Sequence, residues 1–396
     1  IVPAVTAFDA AVHGTGRGHA FHITSSAPVV AYSLFPYGGG ESAMTAATLL
    51  LPTSPVATNF VAVAPYDQDV LVPEAHPSLA IVGTQDGTTV TLRPTHAIVA
   101  SGGVAGASAG APATYTVGAG EELQITQTED LGGSVIQSSE PIMVYAGATC
   151  MNIGTSDQSC DVAHQPLPPV RALGSEYVGV RYRKRYDVDE QVPWRMTGIV
   201  DGTTLAFDPP IAGAPAALAR GQTSTFWTSS PFVVRSQDDA HPFYVSGHMT
   251  GWQSPFAGGS QQRGDPEFVN VVPTRQFFAS YTFFTDPTYP ETDLVVVRRR
   301  NDQNVFDDVT LDCAGTLGGW QNIGASPFQL TRVDLVRGDF VPQGSCDNGR
   351  HLMTSAGPFG LTVWGWGNLE TDTIAVSYAY PAGASIAPIN DVVVAP

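Results

Sequence analysis

Apolar and polar residues alternate along much of this chain with a period of two. The clearest runs are Thr89-Val90-Thr91-Leu92-Arg93 and Glu122-Leu123-Gln124-Ile125-Thr126. Such runs place one face of a strand in a core and the other in water. Helical periodicity is nearly absent. Between Asn59 and Ala148 the pattern predicts seven strands, at 59–65, 78–84, 88–93, 114–117, 122–127, 133–138 and 141–147. Turn signals such as Gln85-Asp86-Gly87 separate several of them. Seven strands in about 100 residues match one two-sheet sandwich. Other runs, Phe60-Val61-Ala62-Val63-Ala64 and Leu294-Val295-Val296-Val297, are apolar on both faces, as the blades of a β-propeller require.

The pattern also recurs. Ser25-Ser26-Ala27-Pro28 leads into an apolar strand ending at Tyr32, and Ser138-Ser139-Glu140-Pro141 into one ending at Tyr145. Looser copies are Asp238-Asp239-Ala240-His241-Pro242 and Thr354-Ser355-Ala356-Gly357-Pro358. Asp86-Gly87-Thr88-Thr89 is answered by Asp201-Gly202-Thr203-Thr204. Leu50-Leu51-Pro52, Leu167-Pro168-Pro169 and Val271-Val272-Pro273 each precede an aromatic strand. A recurring period means one structural unit used several times. The expected fold is therefore all-β, in tandem antiparallel β-sandwich-like repeats of about 110 residues, with a β-propeller-like closed ring as the alternative. The expected division is a partial first repeat at 1–56, then repeats at 57–170, 171–274 and 275–396. The short first copy implies either that the chain extends upstream of Ile1, or that its two ends complete one unit together.

Charge narrows the partners. The formal net charge is −18, and nucleic acid is excluded because phosphate binding needs a concentrated basic footprint. Two short basic clusters, Arg181, Arg183, Lys184 and Arg185, then Arg298, Arg299 and Arg300, read as solvated strand tips. No apolar run is long enough for a transmembrane helix. The four cysteines are Cys150, Cys160, Cys313 and Cys346. An even number in an acidic, strand-rich chain fits two disulfides in an oxidising compartment. Pairing Cys150 with Cys160 and Cys313 with Cys346 closes two local loops. Neither pair has the short spacing of a structural zinc site.

Enzyme chemistry is thinly represented. There is no G-x-S-x-G and no H-E-x-x-H. His19 and His22 are three apart on a strand-like segment and would point to opposite faces. His164 reads as a loop polar group. Asp187, Asp189 and Glu190 form the best carboxylate cluster and are the candidate ligands of a structural calcium. No other cofactor is expected. Arg263-Gly264-Asp265 spells an attachment tripeptide of the kind that three residues produce by chance. The tryptophans, none before Trp194, read mostly as core packing.

Several segments match a family pattern. Asp130-Leu131-Gly132-Gly133-Ser134, with Ser138 and Pro141 following, resembles a D-L-T-G-S-x-I-x-S-x-x-P element. Cys160-Asp161, followed by Leu167-Pro168-Pro169-Val170, resembles C-D-H-x-x-E-Q-L-P-P-V. Asp265-Pro266 resembles a D-P-x-M segment, and Ser377-Tyr378-Ala379-Tyr380-Pro381 an S-Y-G-Y-P ending. In this order they resemble the N-terminal domain of the IgGFc-binding protein family, as found in secreted bacterial proteins. Val162, Gln165 and Pro166 stand where the pattern has His, Glu and Gln; they read as loop changes that put a polar role there in question and leave the fold assignment intact. The resemblance implies an extracellular setting and leaves the ligand open. The expected function is a secreted, non-enzymatic binding or adhesion module of a cell surface or extracellular matrix. Its partner would be a protein or glycan at a cell surface, or copies of itself. The alternatives are a self-assembling component of a surface layer or filament and, last, a carbohydrate-active enzyme.

Overall fold

The structure, a computed structural model, describes residues 11–54, 57–66, 72, 75–153, 159–254 and 262–396. Three strands come first: β1 (Gly16–His19), β2 (Tyr32–Phe35) and β3 (Ala46–Leu49). The second unit contains β4 (Asn59–Val61), β5 (Pro77–Gly83), β6 (Thr88–Arg93), β7 (Ala113–Val117), β8 (Glu121–Thr126), β9 (Val135–Ser138), β10 (Ile142–Met151) and β11 (Asp161–Pro166). The third has β12 (Glu176–Gly179), β13 (Val192–Gly198), β14 (Thr203–Asp208), β15 (Ala217–Leu218), β16 (Thr223–Thr228), β17 (Phe232–Ser236), β18 (Phe243–Met249) and β19 (Glu267–Asn270). The fourth has β20 (Phe278–Phe284), β21 (Glu291–Arg299), β22 (Val309–Leu311), β23 (Gly315–Thr316), β24 (Gln321–Asn322), β25 (Phe328–Arg337), β26 (Val341–Pro342), β27 (Arg350–Trp366) and β28 (Ser377–Pro381). All seven strands predicted between Asn59 and Ala148 are present, with ends shifted by a few residues.

Pairing repeats from unit to unit. In the second unit one sheet runs β8-β5-β10-β11, with β1 added outside β8, and the other runs β4-β9-β6-β7. In the third the same positions are filled by β16-β13-β18-β19 and β12-β17-β14-β15. In the fourth, β25-β21-β27-β28 forms the first kind of sheet, and β20, β27, β22 and β23 the second. Here β27 serves both sheets. Its first half pairs with β20 and β22, and its second half, beyond Pro358, with β21 and β28.

The three later copies of the Ser-Ser-x-Pro element lie at this switch from one sheet to the other. Ser138 ends β9 and its hydroxyl donates to the Glu140 carbonyl at 2.6 Å, while Pro141 precedes β10. Proline is tolerated there because a strand's first residue needs no ladder donor. The Asp-Gly hairpins also match. Thr88 Oγ1 donates back to the Gln85 carbonyl at 2.7 Å, and Thr203 Oγ1 to that of Val200 at 3.0 Å. Asp86 and Asp201 each accept from a backbone N–H of the opposite turn, those of Ala119 and Arg220.

Within each unit the two sheets share one core. Leu79, Ile81 and Leu123 from one sheet meet Val90, Leu92 and Ile136 from the other. A second core is built around Trp194, Phe226 and Phe232, and a third around Leu294, Val309, Phe359 and Tyr378. Between units, β3, β11, β19 and β28 each touch the next, and β28 returns to β3. The result is propeller-like with four blades. Three blades have four strands each, one of them widened by β1, with a second sheet behind, and the fourth is the hairpin β2–β3. The sandwich and the ring are thus two levels of one architecture.

Candidate functional site

The innermost strands carry the polar residues that close the ring. Thr45, just before β3, donates its backbone N–H to Asp161 Oδ1 at 2.5 Å and its hydroxyl to the Ser377 carbonyl at 2.6 Å. Gln165 on β11 accepts from Thr48 Oγ1 at 3.0 Å, and its amide donates to the carbonyls of Ala47 (2.8 Å) and Phe268 (3.0 Å). Asn270 Nδ2 donates to the Pro166 carbonyl at 2.7 Å, and Ser377 Oγ to that of Asp265 at 2.8 Å. Each of the four strand junctions therefore has its own hydrogen bond or buried contact. Gln165 corrects the reading of 162–166 as altered loop: the segment is β11, and this side chain is 1% exposed at the centre of the molecule. His164, on the same strand, lies on its outer side with its ring stacked on Tyr145 at 4.6 Å.

Three carboxylates lie buried around this axis: Asp161, Asp265 and Glu267. Burial holds the Asp161 carboxyl well above the usual carboxylate range, and the negative charges of Asp265 and Glu267 add to the effect. Burial likewise raises Glu267, against an opposing hydrogen bond from the Phe268 N–H at 2.8 Å. Tyr380, from the C-terminal motif, is buried and packs its ring 4.4 Å from that of Tyr32. Leu167 is buried beside partly covered Pro168. Asp130 shapes a turn, its Oδ1 accepting from the Gly132 N–H at 2.7 Å, and the Pro141 carbonyl accepts from Thr84 Oγ1 at 2.5 Å.

Other candidates are dispersed or engaged. The disulfides are Cys150–Cys160 and Cys313–Cys346, the pairing that closes local loops. Asp187 is exposed and pairs with Lys184 at 2.6 Å, and Asp189 is exposed. Glu190 is buried, with Oε1 2.7 Å from the Arg185 guanidinium and 2.7 Å from the Tyr182 hydroxyl. The first basic cluster is therefore not a set of solvated tips. Arg185 is 1% exposed, and Arg183 reaches into the fourth unit, pairing with Glu291 and with Asp334 (2.5 Å). In the tripeptide, Asp265 is buried and Arg263 partly covered, so it is not presented to solvent. Trp194, Trp364 and Trp366 are core residues.

A run of exposed apolar residues leads into the hairpin blade. Phe21, Ile23, Val29, Val30, Phe35 and Tyr37 are exposed, with Ile23 at 66% and Phe35 at 62%. The hairpin itself is held rigidly. Tyr32 Oη donates to the Ala382 carbonyl at 2.6 Å, and the Gly38 N–H to Asp286 Oδ2 at 2.7 Å. Gly40 lies so close to the fourth unit that a Cβ there would meet the Thr288 carbonyl oxygen at 2.0 Å. In the other blades the strand equivalent to β2 lies between two partners: β10 between β5 and β11, β18 between β13 and β19, β27 between β21 and β28. Among the described residues β2 pairs with β3 alone.

Residues 46–365 match the family model described as IgGFc binding protein. The chain belongs to the IgGFc-binding protein family. The match runs from β3 to the penultimate residue of β27 and takes in Asp161 and Asp265. No curated protein and no solved structure matches the chain. The IgGFc-binding family is one of binding domains rather than enzymes, and it directs attention to protein partners. Membership and the two disulfides fit an extracellular protein. No helix among the described residues is long and apolar enough to cross a membrane.

Proposed function

We propose that this chain is a secreted binding module of a cell surface or extracellular matrix, and that a protein partner docks on the hairpin blade. The observation that carries the site is the run of exposed large apolar residues between Phe21 and Tyr37. A run of exposed apolar side chains marks an interaction surface more often than ones scattered singly do. The hairpin beneath is anchored to the fourth unit, so docking costs little ordering of the protein. The test is immobilised chain against mucosal or surface protein extracts, with captured partners identified and then titrated individually. Binding that survives Phe35→Asp and Ile23→Asp unchanged places the site elsewhere.

A second reading rests on β2 having a single strand partner among the described residues. An extended segment of another copy pairing with β2 would extend the blade toward the four strands of its neighbours, the strand-addition mode of recognition. Light scattering across concentration separates the two: growth beyond the monomer that Phe35→Pro abolishes favours assembly.

A further inference from the structure

Sequence spacing gives no zinc signature, but the fourth unit assembles one in space. Asp312 and Cys313 lie in the turn between β22 and β23, Cys346 in the loop before β27, and His351 within β27. A donor atom from each of Asp312, Cys313 and His351 lies within 4.8 Å of the others. Cys346 joins them through its bond to Cys313.

The imidazole is already oriented. His351 Nε2 is 2.7 Å from the Asp347 carbonyl, which only accepts, so Nε2 carries the hydrogen. Nδ1 then faces Asp312 Oδ1 at 3.0 Å. In a neutral ring both of these atoms are acceptors, so the pair needs a proton or a cation between them. A carbonyl that fixes one ring nitrogen and leaves the other for a metal is the usual outer support of a ligating histidine. Asp312 is supported as well, its Oδ2 accepting from the Leu352 N–H at 2.9 Å.

We propose that Cys313–Cys346 is a redox-gated site for a divalent, thiolate-preferring cation of the zinc type. A reducing dithiol supplies two electrons and two protons: the S–S bond breaks, two thiols form, and the reductant leaves as its own disulfide. The metal then displaces the two thiol protons. It is held by two thiolates, His351 Nδ1 and Asp312, a tetrahedral set matching zinc's preference. With metal–nitrogen and metal–oxygen bonds of about 2.1 Å, tetrahedral ligands lie about 3.4 Å apart, close to the Nδ1–Oδ1 separation already present. The metal takes over the clasp between the β22–β23 turn and the 343–349 loop once the disulfide opens. In the oxidised protein the sulfurs are bonded to each other and the site stays closed to metal.

The experiment uses the full chain, reduced with a phosphine, desalted without oxygen and titrated with zinc against a chromophoric chelator. Cobalt(II) in parallel reports thiolate coordination by its charge-transfer absorption. The expected result is stoichiometric zinc and a thiolate–cobalt spectrum in the reduced protein, neither in the oxidised one. His351→Gln and Asp312→Asn should each weaken binding by about tenfold or more, with folding checked by circular dichroism of their oxidised forms. Cys150→Ser with Cys160→Ser should keep the signal. Reduced protein that binds no more tightly than oxidised, ligand variants that bind like the parent, or loss of the signal in the Cys150/Cys160 variant would each overturn the proposal.

Discussion

Thr45 and Asp161 are 116 residues apart, yet the backbone N–H of the first donates to the carboxylate of the second at 2.5 Å in the buried centre. Asp161 also accepts from its neighbour Val162, and Thr45 passes the network on to Ser377. Two blades and the C-terminal strand therefore share one junction. The Asp161 and Glu267 carboxyls there have raised pKa values because burial penalises their charge.

That elevation sets a sign for pH dependence. A carboxyl raised in the folded state holds a proton that the unfolded chain has already released near pH 4. Folding stability from Asp161 and Glu267 is therefore greatest at low pH, and falls as pH rises from about 4 through the folded values. Each unit of elevation corresponds to about 1.4 kcal/mol. Glu267→Gln keeps an acceptor for the Phe268 N–H and removes the charge. Its melting temperature should exceed the parent's by a margin that grows from pH 5 to pH 8 in calorimetry. A margin that shrinks over that range would mean Glu267 is stabilising when ionised.

Gln165 has three polar partners at the axis, on β3 and β19. Gln165→Ala strands the Thr48 hydroxyl and two buried carbonyls. A buried group left without its partner costs about 1–3 kcal/mol. The expected loss in urea unfolding is about 3 kcal/mol or more, and a loss under about 1 kcal/mol would show that water enters the axis and replaces the amide.

The strands and their repetition were legible because alternation and Asp-Gly turns are local. Thr88 and Thr203 make the same turn bond from the same four-residue string. Ring closure was not legible. It depends on single polar side chains, Asp161, Gln165 and Ser377, meeting residues more than a hundred positions away, and such pairs leave no periodic trace. Glu190 shows the same limit from the other side. Its neighbours Asp187 and Asp189 suggest a cation loop, but the side chain turns inward to Arg185. The arginine's direction was invisible in a string of basic residues.

That Arg185–Glu190 pair yields a stability prediction. Both side chains have no solvent exposure, and Arg185 also donates to Thr250 Oγ1 and the Arg263 carbonyl. Removing one partner leaves a buried charge uncompensated, at about 3–5 kcal/mol. Glu190→Ala should therefore lower the urea midpoint sharply, whereas Asp187→Ala, at the exposed Lys184 pair, should change stability by under about 1 kcal/mol. Equal effects would remove the distinction drawn between the two acids.

The disulfides are separable by loop size. Cys150–Cys160 spans 10 residues and Cys313–Cys346 spans 33. Loop-closure entropy gives roughly 3 and 4 kcal/mol respectively. Thiol titration of the denatured, unreduced chain should find no free thiol, because all four cysteines are paired. Cys313→Ala with Cys346→Ala should then cost more than the corresponding Cys150 and Cys160 change. The reverse order would mean that strand packing already confines the longer loop in the unfolded chain.

The hairpin surface should behave in the opposite manner. Phe35 is largely exposed and β2 is already fastened through Tyr32 and Gly38, so Phe35→Asp removes little packing. Surface changes of this kind usually stay within about 0.5 kcal/mol. Interface anchors, by contrast, cost about 2 kcal/mol or more when lost. The variant should keep the parent's melting curve and lose at least about tenfold in affinity for a captured partner. Lost affinity with an unchanged melt locates the contact at β2. A lowered melt instead makes Phe35 a structural residue of the hairpin blade, and the partner's surface must then be sought on the outer sheets of the other three.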